Sequence, residues 1–239
     1  MIRRVAAQTK IELLLTLRRG ESLLVLAVIP AGILAFFASV DVLPHPGSAV
    51  DFLTPGVLAL SVIASAMTSS SIATGFERHA GVLRRLGTTP LGRSGLFVSK
   101  LASLAVLVVL QVSLVGAIGR VMGWRPQGSI AAGAGIIALG TVAFAALGFT
   151  LAGRLRAETN LAVANALFLV FLLFGGILVP VSSLPETIAA LAEILPAEPL
   201  ASALRAALDG SAVRTDDVLT LGLWATAMSA LASLTFRWD

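Results

Sequence analysis

Six apolar runs, each about 20 residues long, most constrain what this chain can fold into. They cover residues 23–40, 52–74, 101–119, 130–152, 161–179 and 218–236. An α-helix needs about 20 apolar residues to cross a bilayer, and it satisfies its own backbone hydrogen bonds there. The pattern therefore predicts an all-α integral membrane protein with six transmembrane helices.

The composition favours a single membrane domain over residues 1–239. Hydrophobic residues make up 57% of the chain and charged residues 13%, whereas a soluble domain is roughly 45–50% apolar and about 25% charged. The six runs use about half of the chain, which leaves no room for a large soluble domain. Because the chain has no cysteine, disulfides, thiolate metal sites and a thiol nucleophile are excluded.

Basic residues collect beside the apolar runs, which is an orientation signal rather than a nucleic-acid-binding pattern. With a cytoplasmic N-terminus, Arg120, Arg125, Arg205 and Arg214 lie outside. The other basic residues lie inside: Arg3, Arg4, Lys10, Arg18, Arg19, Arg78, Arg84, Arg85, Arg93, Lys100, Arg154, Arg156 and Arg237. The asymmetry predicts that both termini are cytoplasmic.

Residues 1–22, which precede the first apolar run, have an amphipathic pattern. One helical face carries Ile2, Val5, Ala6, Thr9, Leu13 and Leu17. We expect an interfacial helix that lies in the headgroup plane and is retained in the protein. The alternative, the positive region of a signal peptide, fits less well because the segment is long and no small-residue cleavage site follows.

The longest polar interruption in the first half of the chain covers residues 75–100. Its charged residues include the acid Glu77 and the bases Arg78, Arg84, Arg85, Arg93 and Lys100. Val82, Leu83 and Leu86 fall at helical spacing before Thr89-Pro90, which predicts a short amphipathic helix against the membrane. The alternative interpretation is a solvated basic loop that only fixes the topology.

The polar residues of the predicted spans indicate an external source of energy. The span interiors carry no charge, and Gln111 and Asn165 are their strongly polar side chains. Transporters driven by protons or sodium usually carry an acid or a histidine within a span. Neither Lys10 nor Lys100 lies in a G-x-x-x-x-G-K-[ST] sequence, so ATP would be handled by another polypeptide.

A different class of function rests on residues 92–95, whose sequence GRSG matches the G-x-S-G element of six-span intramembrane serine proteases. A serine nucleophile such as Ser94 needs a base within hydrogen-bond reach. The two histidines, His45 and His79, both lie outside the predicted spans. Two isolated histidines also do not make a metal site, so no catalytic residue and no metal ligand is predicted.

Two motifs resemble the permease subunits of type-2 ATP-binding-cassette exporters. Residues 77–91 are similar to the pattern E-R-x-x-G-T-L-x-x-L-x-x-T-P-L of the first cytoplasmic loop in that family. Residues 175–205 are similar to G-x-x-x-P-x-S-x-L-P, followed by L-P and A-L-R. The chain departs from the family where Arg84 replaces a frequent acid and where Ile177 and Leu178 replace common aromatic residues.

The resemblance implies that residues 75–100 form a cytoplasmic coupling loop that docks on an ATPase subunit. The coupling residues are then Glu77, Arg78, Gly81, Val82, Leu83, Arg84, Arg85, Leu86, Thr89 and Pro90. In this interpretation the helix from Glu77 to Leu86 acts as a rigid lever. Its arginines pair with acids on the ATPase, while its apolar residues Val82, Leu83 and Leu86 fill a groove there.

The resemblance also implies external re-entrant helices in residues 181–214, between spans five and six. The residues that mark this segment are Pro180, Leu184, Pro185, Pro196 and Arg205. From the residues alone, its short apolar pieces are either surface helices or helices that dip into the bilayer and return.

The implied assembly is a permease homodimer with two ATPase subunits in a bacterial plasma membrane; a heterodimer stays open. ATP and Mg²⁺ would be bound by the ATPases, and this chain would carry no cofactor. The implied substrate path runs between protomers along spans two and five, with the candidates Ser65, Ser69, Asn165, Phe168 and Phe171.

An apolar, aromatic wall with few polar groups suits amphipathic substrates. The likeness to daunorubicin-resistance exporters of actinobacteria implies efflux of a drug or lipid-like compound and a role in antibiotic resistance. A haem-related compound and a glycan precursor are alternatives, and the phenylalanines could instead face lipid.

Overall fold

The structure is a computed structural model that describes residues 2–18, 28–40 and 47–236. Its α-helices are α1 (Ile2–Arg18), α2 (Ile29–Val40), α3 (Ala49–Val62), α4 (Ser70–His79), α5 (Val82–Gly87), α6 (Gly92–Val121), α7 (Ile130–Arg154), α8 (Ala157–Phe174), α9 (Glu186–Ile194), α10 (Ala197–Asp209) and α11 (Thr215–Thr235). Residues 19–27 of the predicted interfacial helix and first span, together with His45 and Arg237, lie outside the described residues.

The prediction of an all-helical membrane fold is confirmed for the described residues. Five helices are long and apolar enough to cross a membrane: Ala49–His79, Gly92–Val121, Ile130–Arg154, Ala157–Phe174 and Thr215–Thr235. The helices α9 and α10 meet at 82° and could together form a sixth span or a re-entrant loop. Helix α2 contributes 12 apolar residues to the predicted first span.

The span helices continue beyond the apolar runs. Helix α6 has 30 residues and begins at Gly92, nine residues before the apolar run does, so that Arg93 and Lys100 lie on it. At 1.5 Å per residue it is about 45 Å long, which matches a bilayer with its headgroup layers. Hydropathy marks only the part of a helix that meets the hydrocarbon, and therefore it places the boundary too late.

The helix Ala49–His79 is the centre of the fold. In its most apolar window 89% of the residues are buried, compared with 17–39% in the other four spans. Between α3 and α4 it passes through a π-helical segment, Ile63–Ser69, against which α6, α7 and α8 all pack. A π-helical insertion widens one turn and often marks a functional site.

Small residues allow this close packing. An added Cβ on Gly148 of α7 would lie 2.8 Å from the carbonyl oxygen of Met67 and 3.1 Å from its Cα. Gly135, on the same helix, has no atom within 4 Å of the position of an added Cβ. Glycine is therefore required by packing at Gly148 and not at Gly135.

Helix α1 packs along the first turns of α6. The hydrogen bonds that join them include those from Thr9 Oγ1 to Ser99 O at 3.4 Å and from Ser99 Oγ to Val5 O at 3.3 Å. Ile2 and Leu15 of α1 are 85% and 52% exposed, respectively. An apolar surface on a helix beside the spans fits the predicted interfacial position, which stays a prediction.

We expect Gly148→Ala to destabilise the protein because the new methyl group meets backbone rather than a movable side chain. Overpacking of this kind costs about 1–3 kcal/mol, whereas Gly135→Ala should be neutral or slightly stabilising because alanine favours the helix. Thermal unfolding of both variants in one detergent measures the difference. Equal melting temperatures would contradict the packing of α7 on the π-helical segment.

Candidate functional site

The predicted lever from Glu77 to Leu86 is two helices rather than one. Helix α4 ends at His79, and Gly81 adopts a left-handed conformation with φ of 70° before α5 begins at Val82. Glycine has no Cβ that would strain this conformation, and it commonly ends a helix in this way. The prediction of a single rigid helix is therefore wrong, because the left-handed Gly81 interrupts the α-helical backbone.

Leu83 attaches α5 to the transmembrane helices. Its side chain is 1% exposed, and it shares a cavity of about 10 Å³ with Leu96 and Phe149. The sequence-based prediction that Leu83 fills a groove on a partner needs correction, since its apolar surface is already buried within this chain. Val82 and Leu86 are half-buried, and both keep some apolar surface for a partner.

A buried ion cluster lies beside this turn. Lys100 of α6 forms ion pairs with Glu77 of α4 and with Glu12 of α1, the latter at 3.4 Å from Nζ to Oε1. The Lys100 side chain is 9% exposed and those of Glu12 and Glu77 are 14% and 23% exposed. A buried charge is strongly destabilising once its partner is removed, so the cluster fixes three helices to one another.

Arg78 and Arg4 make further connections at the same end of the molecule. Arg78 donates from Nη1 to Gly153 O at 2.6 Å and from Nη2 to Leu155 O, at the C-terminus of α7. A cation there satisfies carbonyls that the helix leaves free. Arg4 of α1 donates to Pro90 O at 2.9 Å. Arg78 therefore serves the fold of this chain, which corrects the prediction that it pairs with an acid on a partner.

The remaining predicted coupling residues face outward. Arg84 and Arg85 of α5 are exposed, as are Thr89 and Pro90 in the turn that follows. This arrangement offers two cations on a short, anchored helix, which suits an acidic protein surface. Ser94, the serine of the protease hypothesis, is exposed, and within the described ranges it makes no hydrogen bond to a histidine.

The serine candidates of the substrate path lie in the interior. Ser65 is 2% exposed and donates a hydrogen bond to Gln111 Oε1 of α6. Ser65 and Ser69 line a narrow cavity of about 50 Å³ together with Lys100 and Glu12. The structure thus connects the π-helical segment to the ion cluster, a relation that the sequence does not show.

The three candidates on α8 are divided between two faces. Phe171 is 2% exposed and packs edge-to-face on Phe144, with ring centroids 5.5 Å apart. Phe168 is half-buried, and Asn165 is exposed near the middle of the helix. The five predicted residues therefore do not form one wall within a single chain.

Asn160 makes polar contacts that the sequence pattern does not predict. Ser71 Oγ of α4 donates to its Oδ1 at 2.7 Å, and its Nδ2 donates to Ser71 O at 2.8 Å. An added Cβ on Gly75 would lie 2.7 Å from this Nδ2. The sequence indicates these contacts only weakly, because Asn160 lies just outside the apolar run 161–179, in a segment whose composition resembles that of a loop.

Arg205 organises the opposite end of the molecule. Its Nε donates to Phe52 O at 3.1 Å and its Nη2 donates to Gly176 O and to Ile177 O, the latter at 3.1 Å. The guanidinium also lies 3.9 Å from the centroid of the Phe52 ring. Burial lowers the pKa of Arg205 to about 10, so it stays charged at neutral pH.

The other marker residues of the segment 181–214, which is predicted to be external, bound its short helices. A single turn of 3-10 helix, Val181–Ser183, lies between Pro180 and Leu184. Pro185 and Pro196 directly precede α9 and α10. Proline suits the start of a helix because it has no backbone N–H to donate there. The short helices are thus present, and their depth in a membrane stays a prediction.

A buried carboxyl on α10 adds a titratable group to this end. Burial raises the pKa of Glu198 from 4.5 to about 7, and the negative charge of Asp217 adds to the effect. Arg214 and Arg205 act in the opposite direction. The sequence pattern does not predict this pair, because Glu198 and Asp217 come together only when α10 packs on α11.

We expect the melting temperature to fall as the pH rises from 5 to 8, because ionised Glu198 is unfavourable in its buried site. Its pKa is higher in the folded protein, so the stability that protonation adds is complete below pH 4.5 and is lost as the pH rises through about 7. Glu198→Gln should flatten this dependence, whereas Glu186→Gln, at an exposed carboxyl of α9, should retain it. An unchanged slope in Glu198→Gln would contradict the assignment.

Comparison with known proteins places the chain in a family. The model of the family described as ABC-2 type transporter matches residues 4–208, which extend from α1 into α10. A search of curated protein sequences finds no match. The matched range is well over half of the chain. It contains both the turn around α5 and Arg205 with its hydrogen bonds. The chain belongs to the ABC-2 type transporter membrane family and is a permease subunit of such a transporter.

Proposed function

We propose that this permease exports an amphipathic compound with energy from ATP hydrolysed by a separate subunit. The supporting observation is the pair of exposed cations, Arg84 and Arg85, on the helix α5 that Leu83 fastens to the transmembrane helices. An acidic surface of an ATPase would be attracted to this pair. Any force on α5 would then reach α6, since Leu83 and Leu96 line the same small cavity.

The ion cluster suggests how the movement spreads. Lys100 joins α6 to α4 and α1, so displacement of α5 would shift these helices together. The same cluster borders the cavity that contains Ser65 and Ser69. A change at the ATPase surface could thereby alter the π-helical segment in the middle of the membrane, where a substrate path would lie.

We propose a homodimer whose protomers meet along α8. Asn165 is exposed near the middle of this span, beside the exposed Leu161 and Leu169. An amide is costly against lipid and is usually covered by protein or by a water-filled cavity. A second copy on this face would place Asn165 and Phe168 along the path between protomers, with two ATPases below and both termini in the cytoplasm.

The substrate class follows from the same surface. Leucine and phenylalanine side chains with one amide suit a drug or a lipid-like compound. A haem-related compound or a glycan-type metabolite is the alternative, and it would require more polar groups than the α8 face provides. The intramembrane protease is the weaker hypothesis, because Ser94 is exposed and has no histidine bonded to it within the described part of the chain.

The test of this function is reconstitution of the permease with its ATPase, with Mg²⁺-dependent ATP hydrolysis and dye efflux as readouts. Arg84→Glu with Arg85→Glu should leave membrane insertion intact and weaken ATPase binding by about tenfold or more, since a close charge pair at an interface contributes at least 1.4 kcal/mol. Hydrolysis stimulated by the permease should fall in parallel.

The matched control is Arg120→Glu with Arg125→Glu, which reverses two exposed charges on the other side of the membrane. These changes should leave ATPase binding unaltered. The proposed docking surface would be contradicted if both double variants stimulated hydrolysis as the unmodified protein does. Peptide cleavage by the permease alone would favour the protease instead.

We expect Lys100→Met to lower stability by about 3–5 kcal/mol, because it removes the cation that Glu12 and Glu77 share in a largely buried cluster. The triple variant Lys100→Met, Glu12→Gln, Glu77→Gln should recover much of that stability, because it removes the charges together. If the cluster transmits movement, the triple variant should still bind the ATPase but lose substrate-stimulated hydrolysis. Normal stimulation in a stable triple variant would show that the cluster is only structural.

A further inference from the structure

A groove between α6, α7 and α11 adjoins the small cavity that Leu83 lines, and Phe149 borders both. The groove has a volume of about 430 Å³ and lies on the same side of the molecule as α5. Its wall is apolar and includes Phe97, Leu101 and Phe149. One end carries Arg93 and Ser94, in the first turn of α6. The groove is thus amphipathic along its length, and its size is that of a small-molecule site.

Bilayer lipid can reach this groove directly. Its walls belong to spans that bury little of their surface, with 28% of the most apolar window buried in α6 and 17% in α11. Within the groove, Val142 is 51% exposed and Phe97 is 36% exposed. The proposed dimer face lies on α8, so a second protomer on that face would leave the groove open to the membrane.

The polar end of the groove favours an anion. The Arg93 stem lies close to Gly87, where an added Cβ would lie 3.3 Å from Arg93 Cγ. The N-cap residue of α6, Leu91, provides no side-chain acceptor to the first N–H groups of that helix. Helix N-termini attract phosphate through these N–H groups and the helix dipole, and arginine binds phosphate through several donors.

We propose that the groove binds one anionic phospholipid, with its phosphate at Arg93 and Ser94 and an acyl chain along Phe97 and Leu101. The nine residues from Arg93 to Leu101 extend over about 12 Å of helix, which is enough to hold the upper part of an acyl chain. Basic pockets between transmembrane helices bind anionic headgroups in this manner. The lipid would join α6 to α7 and α11 beside the turn that carries α5. The inference requires only that the protein lies in a lipid bilayer. It does not depend on the proposed exporter function.

The experiment is native mass spectrometry of the detergent-solubilised permease with added dioleoyl phosphatidylglycerol or dioleoyl phosphatidylcholine. The unmodified protein should retain phosphatidylglycerol about tenfold more strongly, because only its headgroup has a net negative charge. Arg93→Gln should reduce that preference to the level of phosphatidylcholine. Ser229→Phe, which places a ring in the groove from an exposed position on α11, should reduce binding of both lipids.

Matched controls separate this site from general lipid contact. Arg154→Gln removes an exposed cation at the C-terminus of α7, and Val109→Phe enlarges an exposed side chain of α6 outside the groove. Both controls should bind phosphatidylglycerol as the unmodified protein does. Gel filtration shows whether each variant is folded. Equal retention of the two lipids, persistence of the preference in Arg93→Gln, or displacement by inorganic phosphate alone would overturn the proposal.

Discussion

The ion pairs of the buried Lys100 ammonium group are the interaction on which the α5 end of the structure depends. A charge removed from water has a large desolvation cost, which only close opposite charges offset. Glu12 and Glu77 supply those charges from two other helices, so α1, α4 and α6 cannot separate without breaking an ion pair. The short helix α5 lies directly beside this fixed base, and its two outward arginines are therefore presented on a rigid support.

At the opposite end of the structure, a cation donates hydrogen bonds to backbone carbonyls that lie beyond the end of a helix. Helix α8 ends at Phe174, and the N–H of Gly175 makes the last helical hydrogen bond, to Phe171 O, before the chain continues through Gly176 and Ile177 as non-helical backbone. Free carbonyls are costly away from water, and Arg205 donates to two of them while it also contacts Phe52. One side chain thus fastens α10 to the ends of α8 and α3. Between the two ends, the contacts are mostly apolar, with amides such as Gln111 and Asn160 joining adjacent helices.

Hydropathy predicted the spans well because a helix is the stable structure for a single long apolar segment in a bilayer. It placed their ends less well, since helices such as α6 continue with polar residues through the headgroup layer. The amphipathic pattern around Leu86 correctly indicated a short helix, but apolar spacing does not show whether Leu83 points into its own chain or toward a partner. That distinction depends on Leu96 and Phe149, which are distant in sequence and adjacent in space.

The sequence by itself determined the all-helical membrane class, the positions of the long spans and the family motifs, because these depend on local composition and spacing. Only the tertiary structure decided which charges are used inside the fold. Arg78 and Arg84 are the same type of residue. Arg78 donates hydrogen bonds to the carbonyls that end α7, whereas Arg84 is exposed. Pairing of this kind depends on which helices pack together, and a linear pattern carries no record of distances between residues far apart in the chain.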